Sequence, residues 1–141
     1  MAAKIIAYNT NSVYGGPPRP GSIALLIEGI VVGLNTGGEI CPGDCRSATK
    51  VVARGFLLQS SGLTDTLGNT LQRIRRMSYT HEGKVGNLSG LTPGATYYLT
   101  SGGALQTAKP AGATGDIDQE VGYAESATVL VIKIGPQVVH A

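Results

Sequence analysis

The sequence predicts an all-β fold: a compact β-barrel or sandwich with short turns and an extended N-terminal arm. Three observations carry that prediction. The apolar runs Ile23–Ile27, Ile30–Val32 and Ala127–Ile134 are too short for core helices and rich in β-branched residues. Glycine is 21 of 141 residues, about twice the usual ~7%, and it supplies the positive φ that tight turns require. Turn signals recur at about ten-residue spacing, the rhythm of a sandwich or barrel.

The element reading begins with residues 1–20, which differ from the rest and are expected to form the arm, leaving 21–141 as a single β-domain. Lys4–Tyr8 suits a short strand, but Tyr14–Gly21 (YGGPPRPG) suits neither helix nor central strand. Pro17, Pro18 and Pro20 remove backbone donors and lock φ, which favours an extended path. Two readings stay open: an arm that reaches away and docks on a partner through Tyr8, Val13, Tyr14, Pro17, Pro18, Arg19 and Pro20, or a disordered tail. In either case the segment is expected to add contacts and little core.

From Ser22 onward the signals are β. Gly37-Gly38 marks a turn, and Lys50–Gln59 (KVVARGFLLQ) reads as a strand with Gly55 at a bulge or a close approach. Residues 64–80 are ambiguous. Leu67, Leu71 and Ile74 have helical spacing, and Asn69 with Gln72 mimics a capping box. Gly68 interrupts that pattern, and a strand over Leu71–His81 is favoured. Leu91-Thr92-Pro93-Gly94 reads as a type II turn, with Pro93 presetting φ and Gly94 supplying positive φ. It launches a strand in which Tyr97 and Leu99 share a face. Tyr97–Thr100 and Ala104–Thr107 flank Gly102-Gly103 as a hairpin. In Ala127–Ile134, Leu130, Ile132 and Ile134 share one face while Val129 and Val131 take the other.

Composition narrows the function. With no Trp and one Phe, Phe56, the core must be aliphatic with a few Tyr. A chain of this length buries about 70% of its unfolded surface and needs no metal or disulfide staple. Charged residues are 14% of the chain against a usual ~25%, which implies surface covered in an assembly. A net charge of +2 does not drive the chain onto nucleic acid or anionic lipid. The N-terminus lacks the apolar run and cleavage site of a secretory signal. Ile23–Leu34, the longest apolar stretch, is interrupted by Glu28, Gly29 and Gly33 and falls well short of the ~20 residues of a membrane helix. A soluble protein made in a cytoplasm, with no membrane or nucleic-acid partner, is expected.

Candidate chemistry is sparse. Cys41-Pro-Gly-Asp-Cys45 invites a zinc half-site or a disulfide loop. Only His81 and His140 could complete four ligands, so two buried thiols flanking a turn are the better reading. Asp116-Ile-Asp118-Gln-Glu120 begins like a calcium loop, but Val121 stands where glycine is needed, and a solvated loop face is expected. Arg73, Arg75 and Arg76 form the only basic cluster, too narrow for nucleic acid and suited to a rim contact with an acidic protein partner or to simple surface charge. Asn87-Leu-Ser89 matches a glycosylation sequon without a secretory context. There is no nucleophile elbow, phosphate-binding loop or dinucleotide fingerprint. No catalytic activity, metal or cofactor is expected.

One pair of segments carries a resemblance. Gly90-Leu91-Thr92-Pro93-Gly94-Ala95-Thr96-Tyr97-Tyr98-Leu99 with its Gly-Gly turn, followed by Val121-Gly122-Tyr123-Ala124-Glu125-Ser126-Ala127-Thr128-Val129-Leu130-Val131, resembles a module of tailed-bacteriophage structural proteins. The module occurs in head decoration (capsid cement) proteins and in tail-fibre or appendage proteins. The Gly55-Phe56 strand fits the same pattern, so the resemblance spans roughly residues 50–134. Gly90, Leu91, Pro93, Gly94, Tyr97 and Tyr98 are its structural positions. It implies a virion protein that binds the major capsid protein on the capsid surface, as a homotrimer, and stabilises the shell. A receptor-binding module of a tail fibre or appendage, gripping surface glycans, is the alternative it implies.

Overall fold

The structure is a computed structural model that describes residues 3–8, 10–19, 26, 28–46, 49–58, 77–100, 105–107 and 114–139. Its elements in chain order are β1 (Lys4–Tyr8), a 3-10 turn (Thr10–Ser12), β2 (Val13–Gly16), β3 (Val31–Leu34), β4 (Ile40–Pro42), β5 (Gly55–Leu57), β6 (Met77–Thr80), β7 (Glu82–Gly86), β8 (Thr96–Leu99), β9 (Leu105–Gln106), β10 (Ile117–Ala124), β11 (Leu130–Lys133) and β12 (Gln137–Val139). The strands form two antiparallel sheets. One has seven strands in the order β1-β7-β11-β10-β8-β9, with β12 adding to β10; the other has five in the order β2-β6-β5-β3-β4. The architecture is a sandwich rather than a closed barrel, which resolves the two options the sequence left open.

The chain crosses between the sheets twice, side by side at one corner. β6 and β7 are separated only by His81, and the chain changes sheets there. Antiparallel to it, β1 pairs with β7 and, after the 3-10 turn, β2 pairs with β6. Strands that bend from one sheet into the other are a common way to build a sandwich corner. This corner is held by side chains: the buried Ser12 and Thr80 hydroxyls share a 2.9 Å hydrogen bond, and Thr80 Oγ1 donates to the Glu82 carbonyl at 2.7 Å. Gly83 sits just past the bend at φ +142°, where a Cβ would lie 2.1 Å from the Ala7 carbonyl oxygen. Only glycine lets β1 approach β7 so closely.

This arrangement corrects the expectation of an N-terminal arm. In their described part, residues 1–20 do not reach away. They supply an edge strand to each sheet, and Ile5 is buried in the core. The proline-rich stretch continues β2 across to the opposite edge strand. Ile40 N–H donates to the Pro17 carbonyl at 2.7 Å, and Arg19 N–H donates to the Ile40 carbonyl at 2.9 Å. Proline cannot donate, but its carbonyl accepts, so an edge position satisfies it. The smaller sheet therefore curls, with the chain spanning from its first strand to its last.

The core has two parts. Val31 and Phe56 of the smaller sheet face Val85, Leu99, Val121 and Leu130 of the larger one. On the opposite face of the smaller sheet, Val32 and Leu57 pack with Leu26, Ile40, Met77 and Tyr79. Adjacent residues thus enter different clusters, as the two-residue period of a strand requires. Each fully buried aliphatic or aromatic side chain contributes about 1.5–3 kcal/mol relative to exposure.

Several predicted elements take their expected form. The Thr92–Ala95 turn closes with Ala95 N–H donating to the Thr92 carbonyl at 3.0 Å, and Gly94 has φ +83°. Tyr97 and Leu99 are both buried. β8 and β9 pair as the expected hairpin through Leu99 and Leu105, while its Gly-Gly turn lies outside the described residues. Gly55 is a close approach: a Cβ there would stand 2.4 Å from the Thr80 carbonyl oxygen. Other boundaries differ. The final predicted strand is confined to Leu130–Lys133, because residues 125–129 form a turn in which Glu125 N–H donates to the Val129 carbonyl. Of the predicted Leu71–His81 strand, Met77–Thr80 is β6 and residues 71–76 lie outside the described residues. Ile23–Ile27 is described only at Leu26, which is buried. β12 was not anticipated.

Candidate functional site

The residues predicted to dock a partner are dispersed. Tyr8 is exposed at the edge strand β1, Val13 is half-buried in β2, Pro17 and Arg19 are exposed, and Pro18 is buried in its bridge to Ile40. Pro20 and the basic cluster Arg73, Arg75 and Arg76 lie outside the described residues. Tyr14 differs from the others. It is half-exposed, yet its ring is held on two sides: the His81 ring stacks on it with centroids 5.3 Å apart, and the Tyr79 ring lies tilted at 5.9 Å. The cause is register. Tyr14 stands directly opposite Tyr79 in the β2–β6 pair, and such cross-strand neighbours pack together.

Tyr14, Tyr79 and His81 form one wall of an open groove of about 630 Å³. Arg54, on the segment entering β5, and Gly135-Pro136-Gln137, entering β12, line it as well. Gln119, which also lines the groove, ties Ala53, the neighbour of Arg54, to Gly135. Its Oε1 accepts from the Ala53 amide at 2.7 Å, and its Nε2 donates to the Ala53 carbonyl and to the Gly135 carbonyl, both at 2.9 Å. A buried polar side chain with every hydrogen bond made is a rigid element. Burial pushes the Tyr79 phenol above its usual range, while the nearby Arg54 guanidinium pulls it down. The groove therefore combines a fixed aromatic surface, a cation and an exposed amide.

Other candidate chemistry resolves into structure. Asp44 is buried in a loop after β4. Its carboxylate accepts from the Arg46 amide at 3.0 Å, Arg46 Nε at 3.1 Å, Arg46 Nη2 at 2.9 Å and Thr49 Oγ1 at 2.7 Å. Burial raises its pKa, but these hydrogen bonds outweigh burial and hold the carboxyl below its ordinary value. Cys41 and Cys45 flank this turn as buried free thiols, and burial raises both. Such thiols are inert. Asp116–Glu120, expected as a solvated loop face, is mostly strand. Ile117 and Gln119 point inward, and Glu120 lies 3.8 Å from Lys133 across the outer face. Alternation along a strand spreads carboxylates along one face instead of converging them on an ion. Among the described residues, no three His, Cys, Asp or Glu side chains cluster as metal ligands, and no helix is long and apolar enough to cross a membrane.

The resemblance-bearing positions are structural. Gly90 and Gly94 take φ +73° and +83°, Leu91 packs against the core, and Pro93 is exposed in the turn. The Thr92 amide donates to Tyr97 Oη at 3.0 Å, and Tyr98 stands opposite Glu120 and Gln106. The two segments that carry the resemblance are neighbours. Gly94 N–H donates to the Ala124 carbonyl at 2.8 Å, and Ala124 N–H donates to the Ala95 carbonyl at 3.0 Å.

Of the groove residues, the sequence singled out Tyr14 alone for binding. Arg54, His81 and Gln137 lie far apart in the chain and form no motif. A signal was present in Tyr79 and His81, two residues apart and therefore on one side of a strand.

No family model matches the chain, and no curated protein matches it. Among solved structures, a chain from Mycobacterium phage Patience is similar, with a TM-score of 0.65 over 95% of this chain and 96% of that one, at 13% sequence identity. At that identity the likeness is one of fold, and it extends over both chains almost from end to end.

Proposed function

We propose that this chain is a non-catalytic structural subunit of a tailed-phage particle, a decoration protein that binds the outside of the assembled capsid and stabilises it. The observation that carries the reading is the near full-length fold likeness to a phage protein, which agrees with the GLTPGATYYL resemblance. Sparse charge and exposed apolar side chains support it. Ile6, Tyr8 and Tyr123 of the larger sheet are all exposed, and Ile6 lies over Gly86, where a Cβ would stand 2.9 Å from its Cγ2. A surface of this kind suits contact with another protein. The partner in this reading is the major capsid protein, met by a homotrimer at the virion surface. The mechanism is mass action: a protein that binds only the closed shell stabilises it by RT ln(1 + [L]/Kd) per site, repeated over many sites.

The test is to add purified protein to undecorated, expanded shells and measure their disruption temperature. A saturable rise is expected. Absence of shell binding, with binding to host cells, would instead favour a tail-fibre or appendage module.

A further inference from the structure

We propose that the open edge of β12 is a pairing surface for a second copy of this chain, the two strands running antiparallel about a twofold axis at Val138. The proposal does not rest on capsid binding. A homotrimer requires a contact between two different patches, so this self-complementary contact is additional to it and would join one trimer to the next.

The first observation is how the other sheet edges are closed. On β1 the Ile5 N–H donates to the Glu28 carboxylate at 2.9 Å, and a bulge interrupts the strand between Ile5 and Ala7. β2 and β4, the edges of the smaller sheet, are tied together by the Pro17 and Arg19 bonds to Ile40. β9 has only two residues. Covering groups, bulges and very short strands are devices that stop a sheet edge from pairing with another chain. β12, one residue longer than β9, is not protected in this way. No described strand pairs with its far side, it contains no charged residue or proline, and no bulge breaks its register with β10.

The second observation is the direction of its backbone. Ile117 N–H donates to the Cys45 carbonyl at 2.8 Å, so the β10 backbone points away from β12 at Ile117. Ile117–Val139 and Gln119–Gln137 are therefore the non-bonded pairs, and Asp118–Val138 is the bonded one. The Glu120 carbonyl, two residues beyond Asp118, accepts from the Gly135 N–H at 2.8 Å, as that alternation requires. The N–H and C=O groups of Gln137 and Val139 consequently point to the open edge. These residues flank Val138. A twofold axis there sets Gln137 against Val139 of the partner subunit, and Val139 against Gln137 of the partner subunit, each pair exchanging both its hydrogen bonds.

The third observation is the side chains. Val138 is 60% exposed and Val139 54% exposed, although they point to opposite faces of the strand. Neither face of β12 is covered. Pairing brings Val138 against Val138 of the partner subunit at the closer, non-bonded spacing, where side chains pack together. Charge does not oppose this. Asp118 lies on the far side of Val138, so the two copies' Asp118 carboxylates would be about 14 Å apart, three strand spacings, beyond the ~8 Å screening length of physiological salt. An uncharged edge whose bonding residues are symmetric about one valine matches itself.

Three residues a side bury much less than the ~1,600 Å² of a stable interface, so the association is weak in free solution. Sedimentation equilibrium of the whole chain should show a reversible doubling of mass with a Kd of about 0.1–1 mM. Val138→Lys and Val138→Glu each put like charges face to face and should weaken it at least about tenfold, whereas an equimolar mixture of the two should restore it. Val138 is exposed, and circular dichroism would establish that both variants remain folded. Amide hydrogen exchange gives a local readout: Val138, bonded to Asp118, should be protected at every concentration, and Gln137 and Val139 only on association. A mass independent of concentration, doubling that both charged variants retain, or no restoration in the mixture would overturn the proposal. So would protection of the Gln137 and Val139 amides only on capsid shells, which would put a capsid strand on this edge. Failure of the shell-stabilisation experiment would leave this result untouched.

Discussion

The two sheets bury their residues differently. In the larger sheet, β10 alternates inward Ile117, Gln119 and Val121 with half-exposed Asp118 and Glu120. Its outer face carries ion pairs, Lys84 to Glu125 at 2.8 Å and Lys133 to Glu120 at 3.8 Å. In the smaller sheet, every residue of β4 and β5 and all but the last of β3 are buried. One face meets the larger sheet, and the other lines the curl containing Leu57 and Met77. A sheet with one wet face writes alternation into the sequence, whereas a sheet covered on both faces writes short continuous apolar runs. Such runs carry no period of their own. The difference should appear directly in stability.

Phe56→Ala should have the largest effect. Phe56 is fully buried between the sheets, and its truncation should cost about 3–5 kcal/mol, read by chemical denaturation. Tyr123→Ala, on the outer face of the larger sheet, should stay near ±0.5 kcal/mol. Equal losses at the two positions would abolish the contrast between the sheets.

Gly55→Ala comes next. A Cβ would press on the Thr80 carbonyl oxygen at 2.4 Å, in backbone with no slack. Forcing β5 from β6 should cost about 1–3 kcal/mol. A neutral result would show that the smaller sheet is looser than its burial implies.

Asp44 provides a pH test. Its carboxyl is the buried carboxylate among the described residues, and its folded pKa is depressed. A depressed value means that its stabilisation is fully present above the unfolded pKa of about 3.9 and is lost as pH falls through the folded value. Asp44→Asn should therefore lower stability at neutral pH and flatten the acid limb of the stability curve below about pH 4. An acid limb unchanged in the variant would contradict the role given to its four hydrogen bonds.

The smallest effect belongs to the wet face. Lys84 and Glu125 are both exposed, so a double-mutant cycle should give about 0.5 kcal/mol or less and fade with added salt. A large, salt-resistant coupling would mean that this face is drier than its exposure indicates.

Legibility followed the range of the interaction. The Pro93-Gly94 turn could be read from four residues because its cause, the φ preferences of proline and glycine, acts within those residues. The Gly55 close approach was readable as a glycine inside an apolar run. The first twenty residues were misread for the opposite reason. Proline chemistry excluded helix and central strand, but it carried no information about Val85 or Ile40, the distant residues with which the segment pairs. Asp116–Glu120 looked like a solvated loop face because its carboxylates alternate without the glycine of a calcium loop, and nothing in the stretch marked Gln119 as buried. Its burial makes sense only once Ala53 and Gly135 stand beside it to satisfy the amide.

By itself the sequence determined an all-β chain, its aliphatic core around a single Phe, the Pro93-Gly94 turn and the strand it launches. These follow from backbone preferences and side-chain period, which act over a few residues. Only the tertiary structure decided that the chain is a sandwich and not a barrel, that β1 and β2 belong to different sheets, and that Tyr14, Arg54, His81 and Gln137 share a groove. Each of those outcomes depends on pairing between residues remote in the chain. Such pairing is chosen by the total burial and hydrogen bonding of the whole molecule, a quantity that no short stretch of sequence contains.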